Sequence, residues 1–248
     1  MTILKNSDEI ENLKAGGRIL AGVLAELKKS VRPGVKAKTL DALAEKLIIK
    51  AKATPAFKGY QGFPASLCVS VNSEVVHGLP GNKVFKSGDL VGLDCGVKYR
   101  GLFTDAAITM GVGQLSPKAK KLTSVAREAF FQAAKIIKPG VTTGDIGNAI
   151  QVFVEANGYN VVRALVGHGV GRQVHEEPKL PNYGTPGTGM KLPVGVVLAI
   201  EPMVVEGHYQ VVTAKDNWTV ITADSGLAAH YEHTVLVTEN GCEIITKL

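Results

Sequence analysis

Cysteine is scarce in this chain: Cys68, Cys95 and Cys242 are three thiols in 248 residues, an odd number with no CxxC spacing. That excludes a disulfide framework and a thiolate zinc site, and makes a reducing cytoplasm the expected setting. Long apolar runs are also lacking. Stretches such as Val196-Val197-Leu198-Ala199-Ile200 fall far short of the ~18 residues of a membrane span, so no membrane partner is expected. The opening MTILKNSDEIENLK is charged at positions 5, 8, 9 and 11, unlike a secretory signal. The net charge of +6 is spread along the chain, with small clusters such as Lys28-Lys29 on helix faces. No aromatic-interleaved basic stripe accompanies it, so nucleic-acid binding has no motif to carry it. Histidine numbers six in all, yet two stand seven positions apart in GHGVGRQVHEEP, residues 167 to 178.

The remainder reads as a folded chain, 45% hydrophobic and able to bury a full core. Helical spacing is clear over residues 8 to 29, after a cap expected at Ser7, and over 40 to 52, where Leu40, Leu43, Ala44, Leu47 and Ile48 share a face. A second pair is expected over 117 to 137, opened by Ser116-Pro117, and over 144 to 156. The second pair repeats the first. Pro139-Gly140-Val141 matches Pro33-Gly34-Val35, and Asp145-Ile146 matches Thr39-Leu40, both at an offset of 106 (139 − 33 and 145 − 39). Alternating, β-branched segments follow each pair, which predicts an α+β fold with an antiparallel sheet in each half. The chain is therefore expected to be one catalytic domain, 1–248, duplicated internally into halves of approximately 1–113 and 114–248.

The repeat extends to the residues that carry chemistry. GDLVGLD, ending at Asp94, matches GVVLAIE, ending at Glu201; Thr104-Asp105 matches Tyr231-Glu232; and His77 matches His175. A hairpin with Tyr99-Arg100 at its tip would set Asp94 directly opposite Asp105. Like charges in partly apolar surroundings repel unless a cation lies between them. One such pair alone is an ordinary exposed hairpin; a second pair, Glu201 and Glu232, at matching places argues for two metal ions at a pseudo-two-fold axis. Oxygen-rich donors point to hard or borderline divalent ions, namely Mn, Fe(II), Co or Zn once a histidine joins. His168 is that histidine: it has no mate in the first half, and Gly167, Gly169 and Gly171 clear bulk where backbone or substrate comes close. His77 and His175, as mates, flank the metals as donors or acid/base groups. His233 should face away from Glu232, and His208 has no assigned role.

The segments YQGFPASLCVS, HGLP, DLVGLDCGVKYRGLFTDAAIT, GHGVGRQVHEEP, AIEPMV and YEHTVLVTENG together resemble the type I methionine aminopeptidases, metallopeptidases of the duplicated pita-bread fold. The resemblance spans essentially the whole chain. It implies a dinuclear site held by Asp94, Asp105, His168, Glu201 and Glu232, with neither the insertion of type II enzymes nor an added N-terminal domain. It also implies a reaction, removal of the initiator methionine from nascent proteins and peptides whose second residue is small. A water or hydroxide between the ions attacks the first peptide carbonyl, Glu201 takes the proton, His175 stabilises the oxyanion and His77 assists the leaving nitrogen. Tyr60, Phe63, Cys68 and Trp218 match the methionine pocket.

Three departures stand out. Val174 replaces a frequent phenylalanine, so the pocket is expected to be wider there. Ala228 and His230 replace serine and glutamine, and His230 shares a strand face with Glu232. The ribosome is a candidate partner and a monomer is expected. Two rivals remain: an aminopeptidase of different side-chain preference, and a non-catalytic binding module for ribosome or nucleic acid, which would have no need of an intact ligand set.

Overall fold

Apolar residues at helical spacing form four helices, and what satisfies their first N–H groups sets where each begins. In the computed structural model, which describes residues 1–247, α1 (Ser7–Ser30) and α2 (Ala37–Lys50) precede β1 (Thr54–Pro55), β2 (Leu67–Val71), β3 (Glu74–Val76), β4 (Leu90–Tyr99) and β5 (Leu102–Gly111). The second half runs α3 (Pro117–Ile136), α4 (Thr143–Ala156), β6 (Asn160–Val161), β7 (Val166–Gly169), β8 (Glu176–Pro181), β9 (Val197–Ile200) and β10 (Met203–Val205). It closes with β11 (Val211–Thr213), β12 (Val220–Thr222), β13 (Ala228–His230), β14 (Glu232–Thr238) and β15 (Gly241–Ile244). The cap of α1 is Asn6 rather than Ser7: the Asn6 side chain accepts from the Asp8 amide at 2.8 Å, and Ser7 is already helical. Helix α2 starts earlier than its apolar pattern because the amides of Ala37 and Lys38 donate to the carbonyls of Lys83 and Gly81. Ser116 caps α3 as expected, and Thr142 with Asp145 forms a capping box on α4.

The fold is α+β, and every ladder is antiparallel. One nine-stranded sheet spans both halves instead of one sheet in each, in the order β1-β4-β5-β14-β9-β7-β8, with β2 also paired to β4 and β15 to β14. Its centre, β4-β5-β14-β9, is symmetrical about the seam between β5 and β14. Alternation along these strands sends Leu93 and Cys95 to the core under α1 and α2, and Leu198, Ile200 and Val235 to the core under α3 and α4. Burying each such large side chain contributes about 1.5–3 kcal/mol, so helices cover one face of the sheet and leave the other free to carry polar groups.

Two continuous stretches of strand-forming residues are broken. AIEPMVV divides at Glu201-Pro202 into β9 and β10, and HYEHTVLV divides at Tyr231 into β13 and β14. Both chains leave the large sheet at the same level for a small one, where Met203 pairs with His230 and the Tyr231 amide donates to the Pro202 carbonyl at 3.2 Å. Glu201 and Glu232 sit at these corners. The segment GHGVGRQVHEEP, too short and glycine-rich for periodicity to read, supplies parts of β7 and β8.

Candidate metal centre and active site

The β4–β5 hairpin turns at Arg100-Gly101, both with positive φ (46° and 85°), so Tyr99 pairs with Leu102: the turn lies one residue further along than expected, and each cross-strand partner moves by two. Asp94 therefore lies opposite Ala107, and Asp105 opposite Gly96. The two aspartates are diagonal neighbours, still on one face because pairing preserves side-chain direction. Ala107 also pairs with Glu232 across the β5–β14 seam, and Ala199 pairs with both His168 and Thr234. Glu201, two residues beyond Ala199, takes the same side. Four adjacent strands and β7 thus bring Asp94, Asp105, His168, Glu201 and Glu232 to the helix-free face of the sheet.

These groups are crowded and dry. Burial raises the carboxyl of Asp94 from 3.8 to about 7, opposed in part by a hydrogen bond from Asp105. Burial, then the negative charge of Asp94, raises Asp105 well above the usual carboxylate range. Glu201 is raised by burial and by both aspartates, and Glu232 by burial, Asp105, Glu201 and Asp94. Asp94 Oδ1, Asp105 Oδ1 and Glu232 Oε1 are buried with no hydrogen-bond partner. The His168 ring shows what is needed. Its Nδ1 lies 2.9 Å from the Gly169 carbonyl, which only accepts, so Nδ1 carries the proton and the Nε2 lone pair points at Glu201 Oε1, 3.4 Å away. Burial, then His175, lowers His168 from 6.5 to about 3, so the ring is neutral. Acceptor facing acceptor in a buried cluster is the arrangement a cation resolves.

The glycines around His168 make room for backbone and not for substrate. A β-carbon on Gly167 would lie 2.7 Å from the Ala199 carbonyl oxygen, and one on Gly169 would lie 2.1 Å from that of Glu177. Beyond them the chain turns back through Gly171, at φ +139°, to present His175, whose ring centroid is 4.3 Å from that of His168. Burial, then His77, lowers His175 to about 4, and its Nδ1 is 3.1 Å from the Tyr60 hydroxyl. His77 adopts a left-handed backbone (φ 57°) that an L-residue visits rarely, and burial lowers its ring as well. His233 faces away as expected, hydrogen-bonded to Thr246 and Tyr231 and meeting Phe130 edge to face. His208 is exposed, with its amide on Asp224.

One cavity of about 600 Å³ is lined by all five expected metal ligands, by His77 and His175, and by Tyr60, Phe63, Cys68 and Trp218. Phe63 and Trp218 meet edge to face at 5.2 Å, and an Asp216 turn that accepts the Trp218 and Thr219 amides holds the indole over the site. Val174 does not itself border this space; it packs against Phe57, Phe63 and Cys68, which do. Phe57, Leu165 and Met203 line the cavity without having been singled out, because isolated apolar residues carry no positional signal. Glu176 and Glu177 also border it, although neither has a symmetry mate; Glu176 accepts the Thr2 amide at 3.1 Å.

The model of metallopeptidase family M24 matches residues 11–239. The chain is 53% identical to a methionine aminopeptidase of Clostridium perfringens, over 99% of each chain, and 47% identical to methionine aminopeptidase 1 of Bacillus subtilis over the full length of both. Its structure is similar to that of the methionine aminopeptidase of Thermotoga maritima, with a TM-score of 0.97, 50% identity and complete coverage of both chains. A prolidase from Pyrococcus furiosus shares the fold more distantly, at 26% identity and a TM-score of 0.82, and 66% of that chain is covered. Helices on a curled antiparallel sheet are thus the pita-bread arrangement, and the chain belongs to metallopeptidase family M24 and, within it, to the methionine aminopeptidases.

Proposed function

We propose that this chain removes N-terminal methionine from peptides with a small second residue, using two divalent ions held by Asp94, Asp105, His168, Glu201 and Glu232. The observation that carries the reading is the His168 lone pair, 3.4 Å from Glu201 and grouped with Asp105 and Glu232, in a cluster of four carboxylates at the floor of a cavity whose opposite wall is aromatic. Mn, Fe(II), Co and Zn suit oxygen donors joined by imidazole. Bound there, such ions supply Lewis acidity that lowers the pKa of water from about 16 toward neutrality.

The chain's own groups account for the remaining steps. Glu201, beside His168 at 3.4 Å, accepts the proton of the water that attacks the first peptide carbonyl. His175, kept neutral by burial and oriented by Tyr60, donates to the oxygen as it becomes negative. His77 contacts the scissile amide and assists the leaving nitrogen. Phe63, Cys68 and Trp218 take the methionine side chain, with a thioether against rings and sulfur. A free, unprotonated α-amino group would be recognised at the metal centre these residues hold, which makes the enzyme an exopeptidase.

The same reading comprises one catalytic domain with duplicated halves, a monomer working in the cytoplasm, and the ribosome as a candidate partner that delivers nascent chains. Among the described residues no helix is long and apolar enough to cross a membrane. The test is to incubate metal-loaded protein with Met-Ala-Ser, Leu-Ala-Ser and Ala-Pro peptides and measure the amino acid released. Methionine released chiefly, and abolished by chelation and by Asp94→Asn, is expected; no turnover with any of the four metals refutes the reading.

A further inference from the structure

We propose that His230 is a further metal ligand in this chain, its Nε2 joining Asp94 and Glu232 in a three-donor set that mirrors the set formed by Asp105, His168 and Glu232. This rests on the reading of the cluster as the metal centre. It alters the composition of that centre: each ion receives one imidazole and one aspartate, and Glu232 serves both.

The geometry supports a ligand more than a hydrogen-bond donor. One donor atom each from Asp94, His230 and Glu232 lies within 4.8 Å of the others, as do those of Asp105, His168 and Glu232. His230 Nε2 is 3.6 Å from Glu201 Oε2 and 3.7 Å from Glu232 Oε2, longer than an N–H···O hydrogen bond. Two donors on a common ion, at bonds of about 2.1 Å and a tetrahedral angle, are about 3.4 Å apart. The separations on His230 approach that value, as does the 3.4 Å from His168 to Glu201. His230 Nε2 is also fully buried and has no partner at all, and the residue is only 3% exposed.

The imidazole is held in place by its backbone. The His230 amide donates to Thr109 Oγ1 at 2.9 Å, and that hydroxyl donates to the His230 carbonyl at 2.8 Å, tying β13 to β5, the strand of Asp105. On its other side Met203 pairs with it in register. The ring therefore lies between the Glu201 and Glu232 corners, beneath the carboxylates and outside the lining of the main cavity, and the substrate pocket is left untouched.

Nuclear magnetic resonance distinguishes the possibilities on the full chain, labelled with ¹⁵N-histidine, stripped of metal and loaded with ¹¹³Cd(II). Two imidazole nitrogens with one-bond coupling to cadmium are expected, of which His230→Gln removes one and His168→Asn the other. In parallel, zinc titration should show one binding event weakened at least about tenfold in His230→Gln. Coupling at His168 alone, or two coupled rings that both survive in His230→Gln, overturns the role of His230 and leaves the metal centre standing. Coupling at neither ring sinks both readings.

Discussion

The Thr234 hydroxyl holds both backbone groups of Asp105, accepting from its amide at 2.8 Å and donating to its carbonyl at 2.8 Å. At this point a side chain continues the bonding across the β5–β14 seam, just beyond the pair His233 and Ala106. It fixes Asp105 relative to Glu232, and Thr234 is fully buried. Thr234→Val keeps the shape and strands both Asp105 groups, each at a cost of about 1–3 kcal/mol. A destabilisation of about 2–6 kcal/mol in urea is therefore expected, with most of it recovered in Thr234→Ser. A valine variant as stable as the parent would mean that the seam does not depend on this contact.

Gly169 illustrates a different constraint, one of space. A methyl group there would lie 2.1 Å from the Glu177 carbonyl oxygen, and a backbone atom in a paired strand cannot yield cheaply. Gly169→Ala should destabilise the fold by about 1–3 kcal/mol and displace both His168 and His175, lowering activity disproportionately. Gly22→Ala in α1, where nothing lies within 4 Å, is the control. It should be neutral or stabilising by about 0.5–1 kcal/mol. Equal effects of the two substitutions on melting would refute the steric account.

Much of this site was legible because duplication doubles each signal. Asp94 and Glu201 end matching apolar strands, so neither had to be recognised alone, and His168 stood out by having no mate. What escaped the sequence depended on turns and corners. Positive φ at Arg100 and Gly101 moved the turn by one residue and the cross-strand partners by two, which no alternation pattern encodes. The breaks at Pro202 and Tyr231 assign one apolar run to two sheets, and only tertiary pairing decides where. Val174, adjoining His175, supports the cavity wall from outside, against Phe57, Phe63 and Cys68, a placement no sequence pattern gives.

Stability in the absence of metal should depend on pH with a definite sign. Asp94 is raised from 3.8 to about 7, and Asp105, Glu201 and Glu232 move in the same direction. An acid raised on folding contributes stability that is complete below its ordinary value and lost as pH climbs through the folded one. Histidines act oppositely: His168, His175 and His230 fall from 6.5 to about 3, 4 and 3, so their contribution is complete above 6.5 and lost on acidification. Above 6.5 only the carboxylates still act, and the chelated protein should melt lower at pH about 8 than at about 6.5. Loaded with zinc the slope should flatten, because the ligands are already ionised. Differential scanning calorimetry at the two pH values reads this directly; a melting point that rises with pH in the chelated protein contradicts it.

His175 and His233 separate catalysis from architecture. His233 is buried and His175 opens to the cavity, yet both are lowered to about 4, chiefly by desolvation, so acidity alone does not distinguish them. Their partners do. His175 borders the cavity with its Nδ1 on the Tyr60 hydroxyl, leaving the other nitrogen for a substrate, whereas both nitrogens of His233 are occupied by Thr246 and Tyr231. His175→Asn should lower kcat on Met-Ala-Ser by about 10²–10³, the loss typical of one oxyanion donor, with little change in KM. Tyr60→Phe removes only the orienting contact and should cost about tenfold in kcat, within the range for a partner that positions another group. His233→Asn should lower the melting temperature and leave kcat near that of the parent. If kcat instead falls equally in the two histidine variants, the assignment of the oxyanion contact to His175 is wrong.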